Sequence, residues 1–269
     1  MEFKDQVVLV TGASSGIGQR LAIDLATRGA TVIGCGRSQE RLQETLLATR
    51  RHSPSSAIHR CDVSDPAQVK GMVQKVLADL GKIDILINNA GFGIYKRFID
   101  TPSESIEAIL RTNLLGAVYC TKEALPSMVE RRSGHIVNIS SVAGKIGTPD
   151  MASYCATKFA LIGLSESLYY ELRPLGIHVS VICPGPVRTK FHLLFDELAP
   201  MAPAFLVLQA DAVSRAVIRA IEKKRFEVIL PRWLAWACFI KGMMPDVFRL
   251  ITYQALRLRS GRGRRGPQT

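Results

Sequence analysis

Gln6–Gly18 reads QVVLVTGASSGIG. Its first half is a short apolar run rich in β-branched residues, the composition of a strand buried on both faces. Its second half spaces glycines as GxxxGxG, at Gly12, Gly16 and Gly18, and Leu21, Ala22, Leu25 and Ala26 then recur at helical spacing. A strand, a glycine turn and a helix in that order make a cradle for a dinucleotide. Glycine lets the backbone approach a pyrophosphate, and the helix N-terminus offers unpaired N–H groups and partial positive charge. Gly12, Ser14, Ser15, Gly16, Ile17 and Gly18 are therefore assigned to cofactor binding.

Working outward, further apolar runs stand at Thr31–Cys35, Ala57–Cys61, Ile83–Ile87, His135–Ile139, Ile177–Ile182 and Phe226–Leu230. Helical patterns separate them, such as Asp65-Pro66 opening a helix to about Leu80 with Val69, Met72, Val73 and Val76 inward. This alternation predicts an α/β fold. A chain of 269 residues, 47% hydrophobic and 22% charged, is globular and of a length for one such domain.

Two places carry chemistry. After the second strand stands Gly36-Arg37-Ser38, with no acidic residue to take ribose hydroxyls. Arg37 can instead pair with a 2′-phosphate, and Ser38 can add a hydroxyl while capping a helix that begins near Glu40. NADPH/NADP+ is the expected cofactor. The second place is Asn138–Lys158, NISSVAGKIGTPDMASYCATK. Tyr154 and Lys158 are four apart on a helix pattern and so share a face. A cation beside a phenol lowers a pKa that starts at about 10, giving a general acid or base near neutrality. Ser141 sits just past the strand that precedes this helix, where its hydroxyl can converge with the pair at the sheet edge. Pro184-Gly185 breaks the chain after the sixth strand and opens the mouth of the site.

With TGASSGIG at Thr11–Gly18, NNAG at Asn88–Gly91, Asn113, Ser141, Tyr154, Lys158 and PGPVRT at Pro184–Thr189, the chain resembles the short-chain dehydrogenase/reductase family over roughly Phe3 to Pro231. The resemblance implies a single doubly wound Rossmann-type domain with a seven-stranded parallel sheet in order 3-2-1-4-5-6-7 and helices on both faces. It implies that Asn113, Ser141, Tyr154 and Lys158 are catalytic, with Asn113 bending its helix and holding a water linked to Lys158. It also implies that Asp62 and Val63 meet the adenine and that Asn89, Ala90 and Gly91 border the cofactor. Pro184, Gly185, Val187 and Thr189 would lie at the nicotinamide, and Tyr154 and Lys158 at its ribose. The implied activity is NADP(H)-dependent interconversion of a ketone or aldehyde and an alcohol, running towards reduction. The complete set of four argues against a cofactor sensor without chemistry. The long helices of Asn113 and Tyr154 commonly form a dimer contact in this family, so a homo-oligomer (dimer or tetramer) is expected.

The apolar, proline-broken stretch Phe191–Gln209 falls where the family has its substrate loop. Its content points to a lipid- or steroid-like substrate, a subunit contact explaining the same residues nearly as well, with a soluble small-carbonyl reductase as the alternative activity. Residues 1–231 would form the dinucleotide-binding domain, 232–259 an apolar and basic helical extension, and 260–269 a disordered basic tail. Between Lys223 and Arg265 eleven Lys/Arg face two acids, so most of the net charge of +12 belongs to the C-terminus and not to a nucleic-acid-binding face. Trp233–Ile240 is eight apolar residues long, far short of the ~20 that span a bilayer. It suits a membrane-surface anchor through 232–265, a lid over the pocket, or a subunit contact. The N-terminus does not read as a signal peptide, and six scattered cysteines suit reduced thiols without a metal site. A cytoplasmic enzyme, with the extension against the cytoplasmic face of a membrane, follows as the expectation.

Overall fold

β1 (Val7–Thr11) is buried along its whole length because helices cover both faces of the sheet it centres. The period of two sends Val8 and Val10 to one face and Val7 and Leu9 to the other. On the first face they meet Leu21 and Leu25 of α1 (Gly16–Thr27) and Val213, Val217 and Ile221 of α7 (Ala210–Glu222). On the second they meet Val69, Val73 and Val76 of α3 (Pro66–Leu80) and Cys120, Ala124 and Met128 of α5 (Gly116–Glu130). Each large apolar side chain contributes roughly 1.5–3 kcal/mol on burial, against well under 1 kcal/mol for most differences in helix propensity. Packing, not propensity, holds these helices on the sheet.

The computed structural model describes residues 3–188 and 207–263, with side chains through 254. Beside β1, the main sheet contains β2 (Thr31–Gly36), β3 (Ala57–Arg60), β4 (Ile85–Asn88), β5 (Gly134–Ile139), β6 (Ile177–Pro184) and β9 (Glu227–Leu230). All pairings are parallel, in the order β3-β2-β1-β4-β5-β6-β9, which is the expected topology. A short parallel pair, β7 (Val187–Arg188) and β8 (Leu208–Gln209), stands apart. The order reverses between β1 and β4, and a ligand crevice opens there in folds of this kind.

Local signals behave as their chemistry dictates. Asp65 caps α3 by accepting from Ala67 N at 2.9 Å and Gln68 N at 3.3 Å. Ser38 Oγ accepts from Arg41 N at the start of α2 (Gln39–Arg50). α7 begins at Ala210. Gln209 leaves β8 directly as the N-cap, and Asp211 pairs with Arg215 inside the first turns. The chain between α4 (Ser103–Leu110) and α5 is one π-helical turn, Arg111–Leu115, carrying Asn113. After β9 come α8 (Leu234–Met243) and α9 (Pro245–Gly263), so helix continues past Ser260, where the sequence suggests a disordered tail. Among the described residues no helix is long and apolar enough to cross a membrane.

One core group makes stability depend on pH. His135, in the middle of the sheet and 5% exposed, has its Nε2 2.8 Å from Ser180 Oγ. Burial, with His178 and Lys224 nearby, brings its pKa down to about 3. Below its ordinary value of about 6.5 the unfolded chain takes up this proton and the native one does not. Stability is therefore lost as pH falls from about 6.5 towards 3, at up to about 1.4 kcal/mol per pH unit from this group. His135→Gln is expected to flatten that limb in urea unfolding measured from pH 4.5 to 7.5. An unchanged slope would remove His135 as its source.

Candidate active site

A cleft of about 580 Å³ runs along the C-terminal ends of the central strands. One end is the glycine turn. Gly12 has φ +66° and Gly16 φ +58°, and a Cβ on Gly12 would lie 2.9 Å from Ala90 Cα. Ser15, the N-cap of α1, makes no side-chain capping bond, and the first turn carries no acid. Its N–H groups are thus left for an anion, as a pyrophosphate needs. Gly12, Ser14, Ser15, Gly16 and Ile17 line this end, so the residues present fit a dinucleotide. Gly18 does not line it. A Cβ there would fall 2.3 Å from Gly12 O and 2.5 Å from Asn89 Nδ2, so Gly18 lets α1 pack closely against the turn.

Beyond the turn, Arg37, Ser38 and Arg41 line the cleft, and Arg37, Arg60, Asp62 and Gln68 line a smaller adjoining pocket. Arg41 and Arg60 are absent from the sequence reading. The signal for Arg60 lies in strand register, which sets it opposite Gly36, next to Arg37. Asp62 and Val63 line the same end. Asp62 also makes a turn, its Oδ1 accepting from Ser64 N at 3.0 Å and Ser64 Oγ at 2.7 Å.

Asn89, Ala90 and Gly91 form the cleft floor after β4. Asn89 Nδ2 donates to Thr11 O at 2.9 Å, while Thr11 Oγ1 accepts from the backbone N–H groups of Asn89 and Ala90. This lock ties β4 to β1 where the sheet order reverses. Asn113, 1% exposed, holds the next loop: its Oδ1 accepts from Phe92 N at 2.9 Å and its Nδ2 donates to Phe92 O at 2.8 Å. The π turn projects this amide out of helical register. A Cβ on Gly91 would lie 3.0 Å from Asn113 Oδ1 and 3.8 Å from Lys158 Nζ, which brings all three residues together.

At the other end, α6 (Ala152–Leu172) carries Tyr154 and Lys158, and the 3₁₀ turn Val142–Gly144 begins beside Ser141. Ser141 Oγ accepts from Ala143 N at 3.1 Å, donates to Pro184 O at 3.3 Å and is hydrogen-bonded with Tyr154. Lys158 Nζ donates to Ile139 O at 2.9 Å and lies 5.6 Å from the Tyr154 ring centroid. Pro184, Gly185 and Val187 complete this wall, and Thr189 lies outside the described residues. Tyr95, Thr112 and Met151 also line the cleft and carry no sequence signal of their own. Tyr95 is placed by its hydroxyl, which donates to Asp150 Oδ2 at 3.2 Å.

The electrostatics correct one expectation. Burial pushes the Tyr154 phenol up to about 12, outweighing the Ser141 hydrogen bond that favours the phenolate. Burial likewise brings Lys158 down to about 8. Burial thus favours the protonated phenol, contrary to the lowered value expected from helix spacing. Desolvation wins because both groups are under 10% exposed.

Residues 6–196 match the short chain dehydrogenase family. The Epidermal retinol dehydrogenase 2 of Mus musculus is 32% identical over 245 residues, covering 89% of this chain and 78% of its own. A short chain dehydrogenase/reductase from Burkholderia phymatum in complex with NAD superposes with a TM-score of 0.85 at 26% identity, over 92% of this chain and 96% of that one. A short-chain dehydrogenase from Sphingobium yanoikuyae in complex with NADPH does so at 0.78 and 30% identity, over 90% and 96%. Sheet order, cleft and family match agree: the chain belongs to the short-chain dehydrogenase/reductase family, oxidoreductases that work between alcohol and carbonyl groups.

Proposed function

We propose that this protein is an NADP(H)-dependent carbonyl reductase for apolar, lipid- or steroid-like ketones or aldehydes. The observation that carries it is the meeting of Tyr154 and Ser141 at one end of a cleft whose other end holds Arg37 and Arg41, with Arg60 in the pocket adjoining it. A nicotinamide cofactor bound in the cleft supplies the hydride. Ser141 Oγ hydrogen-bonds the carbonyl oxygen and aligns it with the Tyr154 hydroxyl. Tyr154 gives its proton to the oxygen as negative charge develops there. Lys158 stabilises the phenolate that remains and hydrogen-bonds the cofactor's ribose. Asn113 keeps the loop at Phe92 in place and sustains proton return to Lys158 through water.

Arginines without a competing acid at the end of β2 favour the 2′-phosphate form. NAD as well as NADPH complexes occur among the solved relatives, so this preference is a property of these particular side chains. The apolar substrate is supported by the retinol dehydrogenase relative and by the composition of Phe191–Gln209, of which only 207–209 lie within the described residues.

The test is NADPH oxidation with ketones graded from short polar carbonyls to long-chain and steroid ketones, with NADH beside it. NADPH is expected to win, and kcat/KM to rise with apolar bulk. Arg37→Asp is expected to lower kcat/KM for NADPH by about 10–100-fold, the worth of a charge-assisted hydrogen bond, with little loss for NADH. A wild-type preference for NADH would overturn the cofactor assignment. Activity confined to small carbonyls would overturn the apolar one.

A further inference from the structure

Helices normally turn an apolar stripe inward. α8 is apolar on its inward face too, and leaves a second apolar stripe turned outward. Trp236, Phe239, Ile240 and Met243 stand at i, i+3, i+4 and i+7, and their exposures are 69%, 58%, 48% and 68%. The opposite stripe, Leu234, Ala237, Cys238 and Lys241, faces the body and is half-buried. α9 exposes further apolar side chains, Val247, Leu250 and Ile251, at 44%, 60% and 63%. So many exposed apolar side chains on two successive helices, with a tryptophan and a phenylalanine packed edge to face among them, call for a partner. The inward stripe shows that the orientation is built in. Lys241 donates to Lys145 O and sits 4.9 Å over the Phe159 ring, and Leu234 Cδ1 lies 3.2 Å from where a Gly185 Cβ would be.

Charge selects the partner. Residues 232–265 contain eight Lys/Arg and one acid, Asp246, which is already paired with Arg249 at 2.8 Å. Two such surfaces placed face to face, as in a symmetric dimer, would set like charge against like charge. A closed lid is also disfavoured, since none of the described residues of the extension lines the cleft. An anionic bilayer surface satisfies both features. It receives the tryptophan, the phenylalanine and the aliphatic side chains at the headgroup boundary and attracts the surrounding cations.

We infer that α8 and α9 form a platform that seats the enzyme on an anionic membrane surface through Trp236, Phe239, Met243, Leu250 and Ile251. α8 packs against Gly185 of the cleft wall, so the bilayer lies about one helix diameter, ~10 Å, from the site. This inference rests on the apolar-substrate reading only for its purpose, which is to bring the cleft to ketones dissolved in lipid.

The experiment is co-sedimentation of the full chain with vesicles of phosphatidylcholine alone or with about one quarter phosphatidylserine. Trp236→Ser/Phe239→Ser is run beside the wild type, with reduction of a short water-soluble ketone measured for both. Binding is expected on the anionic vesicles, weakened in ~1 M salt and reduced at least about tenfold in the double variant. Because both replaced side chains are exposed, short-ketone turnover is expected to stay at the wild-type level. No binding above the vesicle-free control would overturn the platform while leaving the reductase assignment intact. A chain that elutes as a dimer and becomes a monomer in the double variant would also overturn it, in favour of a second copy. Vesicle binding without NADPH-dependent turnover would uphold the platform and sink the reductase instead.

Discussion

Tyr154→Phe is expected to lower kcat for carbonyl reduction by about 10²–10⁴-fold while cofactor affinity stays near the wild-type level. The variant removes one oxygen. The ring stays in its buried slot beside Lys158, so the fold and the dinucleotide end of the cleft are preserved. What is lost is the hydroxyl proton of a phenol that burial pushes up to about 12. Steady-state turnover with a ketone, alongside fluorescence titration of NADPH, checks both halves. Wild-type turnover with intact NADPH binding would show that another group supplies the proton.

Gly18→Ala should be the most damaging single-methyl change in the glycine turn. The added Cβ would sit 2.3 Å from Gly12 O, a backbone atom held by the lock between β1 and β4, so neither side can move cheaply. Overpacking of this severity costs about 3 kcal/mol or more, which lowers Tm by roughly 6–12 °C for a chain of this size. Cofactor affinity should fall with it, because α1 must withdraw from the turn that it anchors. Gly71→Ala provides the opposite result in the same assay. It is exposed in the middle of α3 with nothing within 4 Å of the new Cβ, so helix propensity alone applies and Tm should rise slightly. Equal Tm values for the two variants would refute the packing account of Gly18.

Much of this was legible in the chain because it depends on local spacing. The all-apolar strands report that both faces of the sheet are covered, and the glycine spacing at Gly12, Gly16 and Gly18 reports a strand-turn-helix. Seven parallel strands in the order found, Asp65 as a cap and Ser38 as a cap follow from such patterns and from the family resemblance. So does the arrival of Ser141, Tyr154 and Lys158 at one cleft.

Other features are set by distances along no single segment. Arg60 joins Arg37 only through the register of β2 and β3, and Tyr95 reaches the cleft through Asp150. Gly18 looks like a cofactor contact in sequence, yet in space it faces Gly12 and Asn89. Helix spacing puts Lys158 beside Tyr154, which by itself predicts a lowered phenol pKa. The depth of both groups reverses that, because desolvation depends on everything packed around them. The same holds at the C-terminus. Its sequence shows eight consecutive apolar residues, and only the seating of Leu234 and Lys241 against the body decides which of them face out. Periodicity by itself thus determined the elements, their order and the residues available for chemistry, whereas burial, which is a sum over the whole fold, decided the protonation of Tyr154 and the direction of the exposed face.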